Sequence, residues 1–390
     1  MSEIAIAVVV SPIVAGFYSY VAYPVLLWLV TRLRRARPVS APVDWAWPSV
    51  TITVPVYNAE SNIRRTLQRL TELEYPRELQ ILVLSDASTD ATDSIVREFA
   101  PQSIQLLRAA ERRGKTAAEN AAVAVATGEI IVNVDATVEV PSTALRALVT
   151  AFADPSVGVA SGRDVSVDAA AATAGGEVGY TGYEMWIRDL ETRAGSIVGA
   201  SGCFFAIRRL IHDEPLPAAL SWDFASALVA RKKGYRSVSV PEAVCLVPAT
   251  GAMRSEFRRK SRTMARGLST LFHFRGMMNP LRYGGFALML ISHKLLRWLP
   301  YLLAPFSVVA LMVLAMENVV AAAVLSGLTV GCLAGIYALR KRGTVRFRPI
   351  ALTGFAVAVF TAGFLAWFDA LRGEQKITWS PTPRAGVSAA

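Results

Sequence analysis

Four apolar runs, Ile4 to Val30, Leu299 to Met316, Val319 to Leu339 and Ile350 to Leu371, bracket a long polar-patterned middle. A hydrocarbon core of ~30 Å takes roughly 20 apolar residues to cross, so each run is long enough to span. That arrangement excludes a fully soluble chain and leaves room for one domain of about 200 residues between the anchors. A hydrophobic content of 53% in 390 residues agrees with it.

The first run is longer than a signal core and has neither a basic start nor a small-residue cleavage site, so it is expected to be retained. Arg32, Arg34, Arg35 and Arg37 follow it at once, and the positive-inside rule then places the middle domain in the cytosol of a multi-pass plasma-membrane protein. The net charge of +11 is concentrated beside the apolar runs and in Arg254 to Arg275, which fits membrane lipid and phosphate rather than nucleic acid. Three scattered cysteines exclude a disulfide framework or zinc site.

From Trp47 to Pro248 short β-branched runs alternate with helical segments, the pattern of an α/β domain with a mostly parallel sheet. Strands are expected at Val50 to Val54, Leu79 to Leu84, Ile104 to Leu107 and Ile130 to Val134. Helices are expected at Ser61 to Leu73, Asp90 to Phe99 and Thr116 to Val125. Ala169 to Gly176 reads as a loop and Pro38 to Pro48 as a linker. The resulting division is a helix over 1–31, the α/β domain over 38–250, amphipathic interface helices over 251–298, spans over 299–371 and a tail over 372–390. Arg282 to Trp298, with His293, Lys294 and Arg297, reads as interfacial rather than spanning.

In such sheets ligands bind beyond the carboxyl ends of the strands, and Tyr57, Asp86 and Asp135 each fall just past one. Asp86 is suited to a base or ribose, while Asp90 in the same turn is explained by capping the next helix. Lys115 follows Gly114 at a helix start, where backbone amides and the helix dipole already favour anions; a solvated surface lysine is the bland alternative. Asp223, between Trp222 and Phe224, has the apolar setting that suits a general base, or else begins a helix. Arg258, Arg259, Lys260, Arg262 and Arg266 offer one face to a membrane surface and another to a pyrophosphate.

Taken in order, Val54-Pro-Val-Tyr-Asn-Ala-Glu60, Ser85-Asp86, Gly114-Lys115 through Asn120, Asp135-Ala-Thr137, Trp222-Asp223 and Arg259-Lys-Ser-Arg262-Thr263 resemble the inverting family-2 glycosyltransferases with membrane helices, the group of hyaluronan, chitin, cellulose and poly-N-acetylglucosamine synthases. The resemblance implies a GT-A-type, Rossmann-like fold and a UDP-sugar donor held by Tyr57, Glu60, Asp86, Lys115, Asp135, Arg259 and Arg262. It further implies a divalent cation, Mg2+ or Mn2+, on Asp135, and Asp223 as catalytic base. The acceptor wall would include Tyr183, Glu184, Ser201 and Gly202, taking a saccharide or lipid-linked acceptor, with polysaccharide-synthesis proteins as possible partners.

The departures are specific. Thr137 stands where the family carries a second metal-binding acid, Trp222 replaces the acid before the base, and Arg259 and Thr263 replace the Gln and Trp of the processive synthases' motif. These changes keep two other readings open, a lipid-linked monosaccharide transferase and a non-catalytic nucleotide-binding scaffold. Thr378-Trp379 through Arg384 resembles a tail that lies near the nucleotide in hyaluronan-type enzymes, yet one amino-terminal and three later spans would leave that tail on the opposite side of the membrane.

Overall fold

The computed structural model describes residues 2–33, 42, 44–167, 174–248, 253–341, 347–373 and 377–378, with the side chains of 174–180, 253–260 and 348 outside that description. The chain forms two compact units. One comprises Leu27–Gly251 with Ile377–Ala390, the other Met1–Leu26 with Ala252–Lys376.

The first unit is built on seven strands: β1 (Val50–Val56), β2 (Leu79–Ser85), β3 (Ile104–Arg108), β4 (Ile130–Val134), β5 (Val157–Val167), β6 (Phe204–Arg208) and β7 (Arg236–Pro248). Their order in the sheet is β3-β2-β1-β4-β6-β5-β7. Pairs β1/β2, β1/β4, β2/β3 and β5/β7 are parallel, whereas β6 runs antiparallel to both β4 and β5. Every residue of β1 and of β4 is buried. Central parallel strands are covered on both faces, which is why these two read as continuous apolar runs rather than alternating ones. The core joins Ile52, Val54, Val83, Val132 and Phe204 to helix residues Ile63, Leu67, Leu145 and Leu148.

The expected strands and helices of this half are present within two residues at nearly every boundary, with helices at Ile63–Thr71, Thr92–Glu98 and Lys115–Val123. One expectation fails in part. Ala174 to Gly176, read as loop, begins the helix Ala174–Ala194, and 168–173 lie outside the described residues. The buried face of that helix, Met185, Ile187 and Leu190, supplies the apolar anchoring that compensates for a Gly-rich start.

In the other unit four helices are long and apolar enough to cross a membrane: Ser2–Leu33 (which extends past Leu26 into the first unit), Gly285–Ala315, Val319–Arg340 and Pro349–Arg372. The second begins earlier than Leu299, where the sequence reading started its span. His293 and Arg297 argued for an interfacial segment, but both are buried, with His293 near the Tyr23 ring and the Arg297 guanidinium over Tyr20. Charges turned toward protein do not prevent a helix from continuing through a bilayer. The helix Met253–His273 packs Ala265 and Leu268 against Ala366 and Trp367, and the Trp367 indole donates to the Trp298 carbonyl at 2.9 Å.

Candidate active site

Tyr57, Asp86 and Asp135 follow β1, β2 and β4, which are neighbours in the sheet, so the three strand ends meet on one edge as expected. The chain leaves β1 toward β2 and β3 on one side and returns to β4 on the other, the switch point at which α/β sheets open a crevice.

Two loops at this edge are stitched together. The Asn58 amide donates to Ser88 Oγ at 3.2 Å, Thr89 N to Asn58 Oδ1 at 2.8 Å and Ala59 N to Thr92 Oγ1 at 2.7 Å. Glu60 and Asp90 exchange roles across the gap: Ala91 N donates to Glu60 Oε2 at 3.0 Å and Glu60 N to Asp90 Oδ2 at 3.1 Å. Glu60 therefore ties the two loops, a role the motif alone did not suggest. Above them the Arg112 guanidinium lies 3.7 Å from the centre of the Tyr57 ring, leaving a cation and an aromatic face at the same edge.

Asp86 is 1% exposed, and both its oxygens accept backbone amides, Oδ1 from Arg113 at 2.7 Å and Oδ2 from Gly114 at 2.9 Å. Both oxygens are thus engaged by the turn from which Lys115 emerges. Gly114 has φ +88° and ψ 166°, and its α-carbon lies directly beneath the Ile377 carbonyl. Ile377, at the start of the tail, thus sits on this turn; Trp379 and Arg384 lie outside the described residues.

Lys115 opens its helix and directs Nζ to Asp135 Oδ1 at 2.6 Å and to the Gly202 carbonyl at 3.2 Å. Glu119, one turn on and 3% exposed, places Oε1 3.9 Å from the same ammonium. Burial would lower the lysine's pKa, but the charges of Asp135 and Glu119 outweigh it and hold the ammonium above its ordinary range. The bland reading of a solvated lysine is excluded by these partners.

The same helix organises the loop before Asp223. Thr116 Oγ1 donates to the Leu220 carbonyl at 2.7 Å, while Asn120 bonds Leu216 through both ends of its amide and accepts from the Trp222 indole at 2.8 Å. These contacts set the start of the helix Trp222–Lys232, where Asp223 lies in the first turn after Ser221. Asp223 Oδ1 accepts from the Ser221 hydroxyl and from Phe224 N at 2.9 Å. Its Oδ2 faces Gly202, at which a β-carbon would come within 2.9 Å. Sequence reasoning noticed Asn120 only as part of a motif; its i, i+4 spacing from Thr116 is the signal that both grip the loop before Asp223.

The expected acceptor wall divides. Ser201 is fully buried, its hydroxyl donating to Asp164 at 2.6 Å and accepting from Cys203 N at 3.1 Å, and its amide donating to Ser161 Oγ at 2.8 Å. Glu184 is buried 4.0 Å from Arg188. Both are spent on internal partners. Tyr183, beside the 43% exposed Trp186, and Gly202 remain as surface. Arg262 lies on the helix Met253–His273 of the other unit, as does Arg259, whose side chain lies outside the described residues.

His212 packs its ring 3.9 Å from that of Trp222 and neither ring nitrogen has a hydrogen-bond partner among the described residues. Burial pushes its pKa down to about 3, against a small opposing effect of Asp213. An unfolded histidine binds its proton near 6.5, so folding stability is full above that pH and falls as pH drops from 6.5 toward 3, by about 1.4 kcal/mol per unit. The wild-type melting temperature should therefore fall more steeply between pH 6.5 and 5 than that of His212→Phe, and equal slopes would remove the histidine from the acid response.

The donor set for a metal is thin. Thr137 stands two residues beyond Asp135, Asp135 is paired with Lys115, and among the described residues no group of three or more His, Cys, Asp or Glu side chains is placed to hold an ion. Asp135, the carboxylate that the sequence reading assigns to a divalent cation, is one ligand, which suits an ion that keeps most of its waters.

Residues 51–214 match the model for glycosyl transferase family 2. The chain is 31% identical over 153 residues to a beta-monoglucosyldiacylglycerol synthase of Synechocystis, covering 34% of this chain and 32% of that protein. It is 24% identical over 258 residues to an N-acetylglucosaminyltransferase of Rhizobium meliloti, covering 58% and 59%. The first four curated relatives are matched over 23% to 40% of their length. Among solved structures, the mannosyltransferase PcManGT from Pyrobaculum calidifontis, in complex with GDP-Man and Mn2+, superposes with a TM-score of 0.71 at 25% identity, covering 96% of this chain and 99% of that one. The sheet of this domain is accordingly of the mixed, mostly parallel GT-A-like kind.

Proposed function

We propose that this protein is a membrane-bound glycosyltransferase that moves a sugar from a nucleotide diphosphate sugar, a UDP-sugar on the sequence reading, to an acceptor hydroxyl with inversion to a β-linkage. The observation that carries the reading is the helix Lys115–Val123, which delivers an ammonium to Asp135 and, through Thr116 and Asn120, fixes the loop that presents Asp223. Nucleophile activation and leaving-group charge are thereby set by one rigid element. A nucleotide base has the Tyr57 and Arg112 pair to stack on, and the diphosphate lies toward Lys115 and Asp135.

Asp223 Oδ2 removes the proton of the acceptor hydroxyl, whose oxygen attacks the anomeric carbon in line as the bond to the diphosphate oxygen breaks. Negative charge grows on that leaving oxygen, and the Lys115 ammonium is fixed in advance to meet it. A divalent cation fits at Asp135, where it would add positive charge to the diphosphate. The glycosyltransferase domain works on the cytosolic face of the plasma membrane, and saccharide synthesis is the favoured use. A lipid-borne acceptor is the second reading, favoured by Arg259 and Thr263 at the processive-motif positions and by the glycolipid-synthase relative.

Detergent-purified full-length protein is to be offered UDP- and GDP-sugars, with saccharide or lipid acceptors, and nucleotide release followed. Release from one donor, with a single-sugar or a lengthening product, names donor and acceptor class. Nucleotide binding without release from any donor would support the scaffold reading instead.

A further inference from the structure

The ammonium of Lys115 sits in a shell that oxygen-seeking cations occupy. Asp135 Oδ1 lies at 2.6 Å, the Gly202 carbonyl at 3.2 Å and Glu119 Oε1 at 3.9 Å, and the charge of Asp223 also acts on it. The lysine side chain is 21% exposed and that of Glu119 3%, so the cluster is screened only partly by solvent. Two carboxylates, Asp135 and Glu119, beside one ammonium leave an excess of negative charge, which attracts cations. Yet Asp135, the carboxylate that the sequence reading assigns to a metal, is already engaged, and Thr137 adds no second acid beside it.

A divalent ion approaching the nucleotide-free site must compete with an ammonium tethered to the same helix, present at an effective concentration on the order of millimolar or above. One carboxylate plus waters gives it little affinity with which to win. The balance changes when a diphosphate enters. Its oxygens give the ammonium another anionic partner and give the ion the ligands that Thr137 does not.

We propose that Lys115 is a resident cation at Asp135 that keeps divalent metal out of the free enzyme, and that a metal ion reaches Asp135 only together with the nucleotide diphosphate, as the ammonium passes from carboxylate to phosphate. The inference rests on the nucleotide-sugar reading for its second half; its first half concerns the empty protein alone. No bond to carbon or phosphorus changes in this step: one ion pair opens, and two form.

The test is Mn2+ binding, followed by the loss of the free-ion paramagnetic resonance signal, on detergent-purified full-length protein without nucleotide. Wild type should bind Mn2+ at least about tenfold more weakly than Lys115→Met, the scale on which groups around a metal ligand alter affinity. Thr137→Asp, with the lysine retained, should lie between them. UDP or GDP added to wild type should produce protein-retained Mn2+ that neither component retains alone. Tight Mn2+ binding by nucleotide-free wild type, equal to that of Lys115→Met, overturns the proposal. If Lys115→Met does not fold, Lys115→Gln decides by the same comparison. Nucleotide binding measured in chelator separates the two readings: its absence counts against the transferase, while the nucleotide-free comparison still decides the role of Lys115.

Discussion

Asp223→Asn is expected to reduce sugar transfer by roughly 10²- to 10⁴-fold, the range supplied by a positioned general base. Nucleotide affinity should change little. The amide is nearly isosteric, and its oxygen still accepts from the Ser221 hydroxyl and the Phe224 amide, so the start of the helix Trp222–Lys232 keeps its place. What is lost is the oxygen facing Gly202, which in the amide becomes a donor and takes no proton. Nucleotide release and nucleotide binding measured on the same preparation check this. Turnover within a few-fold of wild type would take Asp223 out of the chemistry and direct attention to Asp135 and Glu119, the carboxylates beside Lys115.

Gly114→Ala is expected to abolish measurable nucleotide binding and lower the melting temperature. At φ +88° and ψ 166° the backbone occupies a region essentially reserved for glycine, at a cost of about 1–3 kcal/mol for any other residue. A β-carbon there would also stand 2.3 Å from the Ile377 carbonyl. Two responses are available, and both damage the site. A turn that relaxes withdraws the Gly114 amide from Asp86 and leaves a buried carboxylate oxygen without its donor, worth about 1–3 kcal/mol or more. A tail that yields loses its seat on the turn. Equilibrium binding of UDP and GDP, with thermal melting alongside, checks the prediction, and wild-type binding would show that the turn is not part of the nucleotide site.

Much of the architecture was legible because local pattern and burial agree. Val50 to Val56 and Ile130 to Val134 are continuous apolar runs that turned out to be central strands, and the three strand-end residues were placed on one edge by a rule about parallel sheets rather than by any motif. Less legible were residues whose partners are distant in the chain. Ser201 looked like surface beside the acceptor and is a buried strut on Asp164, 37 residues earlier. Glu60 was expected at the nucleotide, and its carboxylate also ties to Ala91. In both, residue type and neighbours admit either role, and only the opposite loop decides.

By itself the sequence determined the elements: where strands and helices run, where apolar stretches reach membrane length, and which polar residues stand at strand ends and helix starts. Those follow from periodicity and length, which are properties of neighbouring residues. Tertiary structure alone decided how the polar groups are spent. It turned Asp86 inward onto two amides, joined Lys115 to Asp135 and to the Gly202 carbonyl 87 residues away, and buried His293 and Arg297 against tyrosines so that their helix continues as a candidate span. A carboxylate or an ammonium carries the same chemistry in either setting. Which partner it meets depends on the order in which strands enter the sheet and on the packing of helices, and no local pattern encodes that.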